Sequence, residues 1–447
     1  MKDALGNSTQ DLADLFQWLS IPSVSADPKN KPDMTRAAEW LKARLEQSGL
    51  EAEIIPTAGH PVVYAQTKQL PERKTVLVYG HMDVQPADPL DEWETPPFEP
   101  SVRDGFIYAR GSSDDKGQLL AHVIAAGRSA NLPVNLKFLV EGEEETGSPN
   151  LHDFVRGHVG KLACDFVAIS DGSAFAPEVA SLTIGLRGLT YLEVRVTGPN
   201  KDLHSGGYGG AVANPINALV TMLASLKGEH GRVAVPGFYD RVQAVPEAEL
   251  ASWRKLEFSE TAFAEAVGVD ALPGEEGYSV LERLWARPTL DVNGIWGGYQ
   301  GEGSKTVLPA RAGAKVSMRL VPDQNDSEIF ELVKAHLLSV APVGVRVEVV
   351  ELHGGLPVAL NPADGPVRAA KAALGRAYPG REVALIRSGG SIPVVATFRS
   401  ELNAPVLLLD LGLPDDGPHG PNERYSLECF HRGIEIAGYL YEEIAAL

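Results

Sequence analysis

TVLVYGHMDVQP (75–86), YARGSSDDKGQ (108–118) and KFLVEGEEETGS (137–148) are three pieces of one stretch, and their reading decides the fold. His81 and Asp83 follow the apolar run of the first piece. Asp114 and Asp115 sit in a Gly/Ser turn, and Glu143, Glu144 and Glu145 follow the last run. Carboxylates and a histidine massed where strands run out point to a metal site of hard-to-borderline character, with an acid/base group beside it.

At 447 residues the chain is about three times a typical domain, so two or more domains are expected. With 44% hydrophobic and 22% charged residues it can bury a large core. The net charge of −19 argues against nucleic-acid phosphates as the main partner, since those need a basic face. Part of that excess is charge that bound divalent cations would neutralise. The two cysteines, Cys164 and Cys429, make no disulfide framework and fit a reducing cytoplasm. MKDALGNSTQDLADLFQ (1–17) lacks the apolar core of a signal peptide, and APVLLLDLG (404–412) is far short of the roughly 20 residues that span a bilayer. A soluble, cytoplasmic protein without a membrane partner is expected.

Residues 8–19 carry Leu12, Leu15, Phe16 and Leu19 at helical spacing, with Ser8 or Thr9 as the cap. A second helix is predicted over 34–48, capped by Asp33 and stopped at Gly49. Strands follow near 51–55, 61–66 and 75–80, and the proline-rich 86–100 forms a loop. An apolar helix from Gln118 to Ala130 backs the Gly111–Gly117 turn, and strands cover 134–140 and 166–170. This alternation predicts an α/β fold with a mostly parallel sheet flanked by helices. After about Leu186 the style changes. Strand 189–197, the glycine-rich DLHSGGYGGA (202–211), helix 214–227, strand 310–321, helix 326–338 capped by Asp326 or Ser327, and strand 345–352 read as a split βαβ sandwich. Residues 229–304 hold helical pieces near 246–253 and 259–267 and are otherwise unassigned. From Asn361 the first style returns, with helices over 365–377, 392–399 and 426–444 and strands over 382–386 and 405–410. The expected organisation is a discontinuous α/β domain, 1–186 and 356–447, hosting an inserted α+β domain, 187–355.

His81 and Asp83 lie two residues apart on an extended segment, so their side chains point the same way and Asp83 can steady the imidazole. Glu145 lies just past a strand, Asp171 at the end of VAIS (167–170), and His419 in a loop after another strand. Singly each has an ordinary explanation. Asp114 or Asp115 can cap the helix after Lys116, Asp171 can be a turn residue, and a run of glutamates is usually solvated. Together, two histidines and three carboxylates at strand ends predict two divalent ions about 3.5–4 Å apart, one carboxylate bridging them. Mixed His/carboxylate donors favour zinc, with manganese or cobalt as alternatives. A hydrolytic centre of this kind needs a ligand and a separate proton shuttle, a division that adjacent glutamates can supply. No P-loop and no GxGxxG after a strand is present, which argues against a nucleotide enzyme.

GHMDVQP, ARGSSDDKGQ, EGEEETGS, ISDGS, DLHSGG and PHGPNE, in this order over nearly the full length, resemble the motifs of the M20 metallopeptidase family. The likeness is greatest to its carnosinase-like, cytosolic nonspecific dipeptidase branch. The resemblance implies that His81 and Asp171 bind one ion, that Glu145 and His419 bind the other, and that Asp114 bridges. It implies Glu144 as general base, Asp83 as the residue that orients His81, and a cis peptide between Asp114 and Asp115. His204 resembles the family histidine that stabilises the oxyanion, which in related dimers reaches into the partner's site. Arg319 in SMRLVP matches the arginine that takes the substrate's C-terminal carboxylate. Thr306 in SKTVLP, and Gly390 and Ser391 in SGGSIP, match further substrate contacts, the glycines letting backbone N–H groups approach a carboxylate. The remaining eight histidines are expected to be structural or at the surface, with His122 packed behind the site. The implied protein is a cytoplasmic homodimer whose discontinuous domain is catalytic and whose inserted domain is a lid and dimerisation domain. It would cleave dipeptides or short peptides with a free C-terminal carboxylate. Removal of an N-acyl or succinyl group, and carboxypeptidase action on longer peptides, are the alternatives within the family.

Overall fold

The computed structural model describes residues 2–129, 131–390 and 393–447. The chain divides into two compact units, one of Met1–Ile184, Leu360–Ile386 and Pro393–Leu447, the other of Gly185–Ala359 with Arg387–Ile392. The return of the short segment after Ile386 to the second unit has no signal in the sequence pattern.

The first unit is organised around the strand Thr75–His81, whose residues from Val76 onward are all buried. A strand buried on both faces reads as a continuous apolar run and suits the interior of a parallel sheet. Asn135–Glu141 and Phe166–Ile169 pair with it in parallel on either side, and Val406–Leu408 extends the parallel set beyond Phe166–Ile169. Antiparallel strands flank this core. Val62–Gln66 joins Asn135–Glu141, with Glu51–Ile55 outside it, and Ser181–Leu186 joins Val406–Leu408. Four parallel strands therefore deliver their carboxyl ends to one edge, which is where open α/β sheets place their sites. His81 ends one strand, the glutamate run follows Glu141, Asp171 follows Ile169, and Asp410 follows Leu408.

Behind that edge runs the helix Lys116–Arg128, buried on every face from Lys116 to Ala126. Two glycines permit its close approach. A Cβ on Gly80 would meet Asp115 Oδ2 at 2.4 Å, and one on Gly117 would meet the Ser112 carbonyl at 2.0 Å. The apolar core gathers Leu119, Leu120 and Val123 of this helix with Val76, Val78, Leu136, Phe138, Phe430 and Leu440. Truncating such a fully enclosed leucine to alanine costs about 2–5 kcal/mol.

The second unit has a four-stranded antiparallel sheet in the order Thr289–Gly297, Arg311–Leu320, Gly188–Thr197, Arg346–Gly355. The helices Pro215–Ala224 and Asp326–Ser339 complete a β-α-β-β-α-β succession. Leu192, Val194, Ala314, Val316, Leu219 and Val333 form its separate core.

Several ends differ from expectation. The first helix spans Lys2–Leu19, so Ser8 and Thr9 lie inside it. The second begins at Lys31, with Asn30 at the cap position, and Asp33 lies in its first turn. Asn325, not Asp326 or Ser327, caps the later helix by accepting the Glu328 N–H. The helix behind the site ends at Arg128, and its expected terminus at Ala130 lies outside the described residues. Residues 229–304 hold three elements beyond the two expected helical pieces: the 3-10 turn Glu229–Gly231, the helix Val280–Trp285 and the strand Thr289–Gly297. Among the described residues no helix is long and apolar enough to cross a membrane.

Candidate metal centre

At the carboxyl edge of the parallel strands, Asp114 presents one oxygen to each of two histidines. Its Oδ1 lies 3.0 Å from His81 Nε2, and its Oδ2 lies 3.0 Å from His419 Nε2. Asp171 Oδ2 stands 3.7 Å from His81 Nε2, and Glu145 Oε2 stands 3.4 Å from His419 Nε2. Two donors on one ion, each about 2 Å from it at a tetrahedral angle, sit about 3.3 Å apart. All four separations bracket that value. Ligand atoms of His81, Asp114 and Glu145 also lie within 4.8 Å of one another, so Glu145 stands within reach of both histidines.

The backbone around these donors is tightly specified. The Asp114–Asp115 peptide is cis, and His419 has a left-handed φ of 65°. Asp115 turns away from the other donors, and its Oδ2 accepts the His81 backbone N–H at 3.2 Å. It does not cap the helix it precedes. His81 Nδ1 meets the backbone carbonyl of Asp83 at 3.0 Å, whereas the nearer Asp83 carboxylate oxygen is 3.5 Å away. Asp83 thus orients His81 chiefly through its main chain. Its buried carboxylate accepts from Ser25 Oγ at 2.6 Å and from the backbone N–H groups of Glu144 and Glu145 at 3.3 and 3.1 Å. It therefore anchors the turn carrying both glutamates. Gln85 donates to Glu145 Oε2 at 2.8 Å.

Electrostatics single out the same groups. Burial alone would lower the His81 imidazole, but the hydrogen bond to Asp114 and the nearby carboxylates of Asp171 and Asp83 carry it well above its ordinary value. Burial opposes ionisation of Asp114, yet the hydrogen bonds from His419 and His81 hold it below the usual carboxylate range. Burial pushes the Glu144 carboxyl up to about 7, with His81 opposing and Asp171 and Asp114 reinforcing. Burial likewise drives Glu145 to about 8. The hydrogen bond to Asp114 raises His419 to about 9. Five carboxyl groups (Asp83, Asp114, Asp171, Glu144 and Glu145) thus crowd two imidazoles, His81 fully buried and His419 exposed. Such a concentration of negative charge is relieved by divalent cations, and the nitrogen and oxygen donors suit zinc, manganese or cobalt. The residues fit the metal.

The remaining candidate residues belong to the second unit. His204 is exposed at the end of Leu203–His204, which pairs with Val307–Leu308. Its Nδ1 accepts the Gly206 N–H at 3.0 Å, so the ring proton resides on Nε2 and is available to an acceptor. Thr306 is its neighbour across this pairing, its carbonyl accepting the Ser205 N–H. Arg319 is half-buried on the strand Arg311–Leu320, opposite Leu189 and Thr289. The Gly390 N–H is taken by Ser388 Oγ at 3.2 Å, so it is not the open donor that the double glycine suggests. Ser391 lies outside the described residues.

Several supporting residues have weak or no sequence signals. Ser25 lies 58 positions from Asp83 with no motif around it. Glu423 closes the PHGPNE motif, and its acidic character next to His419 was the available hint. His122 is buried as expected, with ring nitrogens 2.8 Å from Ser170 Oγ and 3.1 Å from the Tyr441 hydroxyl.

The chain belongs to Peptidase family M20/M25/M40, which residues 77–443 match, and it is accordingly a hydrolase of the metallopeptidase class. It is 35% identical to the Cys-Gly metallodipeptidase dug1 of Schizosaccharomyces pombe over 453 residues, covering 97% of this chain and 95% of that protein. It is 33% identical to the human Beta-Ala-His dipeptidase over 455 residues, covering 97% and 90%. The solved structure of the M20 family metallo-carboxypeptidase Sso-CP2 from Sulfolobus solfataricus is 33% identical, with a TM-score of 0.87 over 98% of this chain and 99% of that one.

Proposed function

We propose that this chain hydrolyses the peptide bond of dipeptides or short peptides with a free C-terminal carboxylate, using two divalent metal ions, zinc by preference. The observation that carries the reading is Asp114, one oxygen facing His81 and the other facing His419. His81 and Asp171 would hold one ion, His419 and Glu145 the other, and Asp114 both. When bound, such ions polarise the scissile carbonyl and lower the pKa of the attacking water.

Glu144, unlike its neighbour, stands outside the ligand set and is free to move protons. A carboxyl raised to about 7 is matched to that task near neutral pH. It would take the proton of the attacking water and return it to the leaving amine. Asp83 fixes the turn that carries Glu144 and Glu145. His204, with its proton on Nε2, would donate to the oxyanion of the tetrahedral intermediate. Arg319 would bind the C-terminal carboxylate, with Thr306 as a further contact; of the other two candidates, Gly390 has its N–H committed to Ser388 Oγ and Ser391 lies outside the described residues. We also infer a cytoplasmic homodimer formed through the inserted domain, in which His204 serves the partner's site.

Support for the substrate class comes from the dipeptidases that this chain resembles, and the carboxypeptidase shares its fold and a third of its sequence. The deciding assay sets X–Gly dipeptides, C-terminally amidated dipeptides, longer peptides and N-acyl amino acids against the purified protein, with and without chelator. Cleavage of free dipeptides above the rest, abolished by chelator, is expected. Preference for N-acyl amino acids or for longer peptides would replace this reading with the deacylase or the carboxypeptidase one.

A further inference from the structure

Outside the proposed ligands, one buried acid is bound to the metal edge more tightly than any role described so far requires. Glu423 is fully buried, and its carboxylate collects four N–H donors from five consecutive residues. Oε2 accepts from Arg110 Nη1 at 2.8 Å and from the Gly111 amide at 2.9 Å, while Oε1 accepts from the Ser113 amide at 2.9 Å and the Asp114 amide at 3.1 Å. Successive backbone amides turned inward make a concave anion site. Here a side chain of the protein itself fills it, and Arg110, only 1% exposed, matches its charge.

The two ends of this arrangement belong to different loops. Arg110–Asp114 is the turn that presents Asp114. Glu423 closes the loop that presents His419 and leads into Arg424–Ser426, which pairs with Phe106–Tyr108 immediately before the turn. The Glu423 carbonyl also accepts the Ala109 N–H at 3.2 Å. At the other end of the His419 loop, Asp416 accepts Ser113 Oγ at 3.0 Å and the Leu413 amide at 2.7 Å. The loops are thus stitched together on both sides of the Asp114–His419 contact. His81 is held by other means, through Asp115 and the Asp83 carbonyl.

We infer that Glu423 is a positioning residue that sets the spacing between Asp114 and His419 and so prepares the ion position on the His419 and Glu145 side. The inference rests on the proposed two-ion centre. Removing one charge from this cradle, with shape kept, should loosen the Asp114 turn against the His419 loop, and should disturb the His81 side less, because Asp115 and the Asp83 carbonyl still hold His81.

The test titrates the chelator-stripped full-length chain with Co2+, following heat and visible absorption, for the unmodified protein, Glu423→Gln and Arg110→Lys. The unmodified chain should take up two Co2+. In Glu423→Gln the affinity of the His419-side position should fall about 10–100-fold and that of the other position, which shares Asp114, by clearly less, with altered absorption of the weaker-bound ion. Arg110→Lys, which keeps the charge and loses the guanidinium that reaches both Glu423 and the Pro86 carbonyl, should show a smaller loss on the same step. Two unchanged affinities would overturn the inference, as would equal loss of both together with a lowered Tm. If Glu423→Gln does not fold, Arg110→Lys decides by the same criteria. An unmodified chain that binds fewer than two Co2+ overturns the two-ion reading and this inference with it, and that failure is visible before any substitution is made.

Discussion

Asp114 and His419 stand 305 positions apart in sequence, yet Asp114 Oδ2 and His419 Nε2 lie 3.0 Å apart. With His81 on its other oxygen, Asp114 is the one residue common to both proposed ion positions. Its removal should therefore differ in kind from removal of either histidine. His419→Ala should retain about one ion per chain after desalting, whereas Asp114→Ala should weaken both. Metal content by mass spectrometry separates these outcomes, and equal losses in the two variants would contradict a bridging Asp114.

Glu144→Gln removes the proposed proton shuttle and leaves the proposed ligands alone. Turnover of a dipeptide should fall about 10²–10⁴-fold while metal content stays at the unmodified level. Loss of metal in this variant would make Glu144 a ligand.

Asp83 anchors Glu144 and Glu145 through its carboxylate and His81 through its carbonyl, so Asp83→Asn should act on the former. The amide keeps the carbonyl contact to His81 but has one acceptor oxygen in place of two. A fall of about 10–100-fold in activity is expected. Ser25→Ala, which removes only the 2.6 Å hydroxyl bond, should fall part of the way. Full activity in Asp83→Asn would show that the turn needs no such anchor.

Arg319→Met should raise KM for free dipeptides by about 10–100-fold, the value of a charged hydrogen bond of about 1.5–3 kcal/mol. C-terminally amidated dipeptides should be poor substrates of the unmodified protein and should be little affected by the substitution. An equal effect on both would remove Arg319 from carboxylate recognition.

His122 links stability to pH. Burial pulls its imidazole down to about 4, so the folded protein keeps it neutral where the unfolded chain, titrating near 6.5, takes up a proton. Its contribution is present above about pH 6.5 and is lost progressively as pH falls towards 4. At pH 5 that loss is about 2 kcal/mol. His122→Gln, compared with the unmodified protein by urea unfolding at pH 7.5 and pH 5, should lose less stability on acidification by about that amount. Identical losses would show that His122 does not titrate this way.

Much of the first unit was legible because its signals are local. Val76–Tyr79 and Phe138–Val140 are uninterrupted apolar runs, and His81 and the glutamates at 143–145 sit shortly after them. Helix caps were less legible, since Asp33 and Asn30 are both capping residues, and the local mark of a start before Asp33 is the proline between them, in the helix's first turn. The strand Thr289–Gly297 was missed because it is exposed along much of its length, so period-2 burial leaves little mark on Asp291, Val292 and Asn293. The site shows the same division. His81, Asp114 and Glu145 announced themselves by position, whereas Ser25 and the detailed hydrogen bonding of Asp83 and Glu423 depend on contacts 58 to 313 positions distant. The commitment of the Gly390 N–H to Ser388 is local but follows from side-chain rotation, which composition does not encode.

The central claim, two ions sharing Asp114, is tested most directly by an anomalous-scattering map of crystals of the zinc-loaded protein. Two peaks about 3.5–4 Å apart, with Asp114 between them and His81 and His419 on opposite sides, are predicted. A single peak, or two peaks that do not share Asp114, would contradict the account.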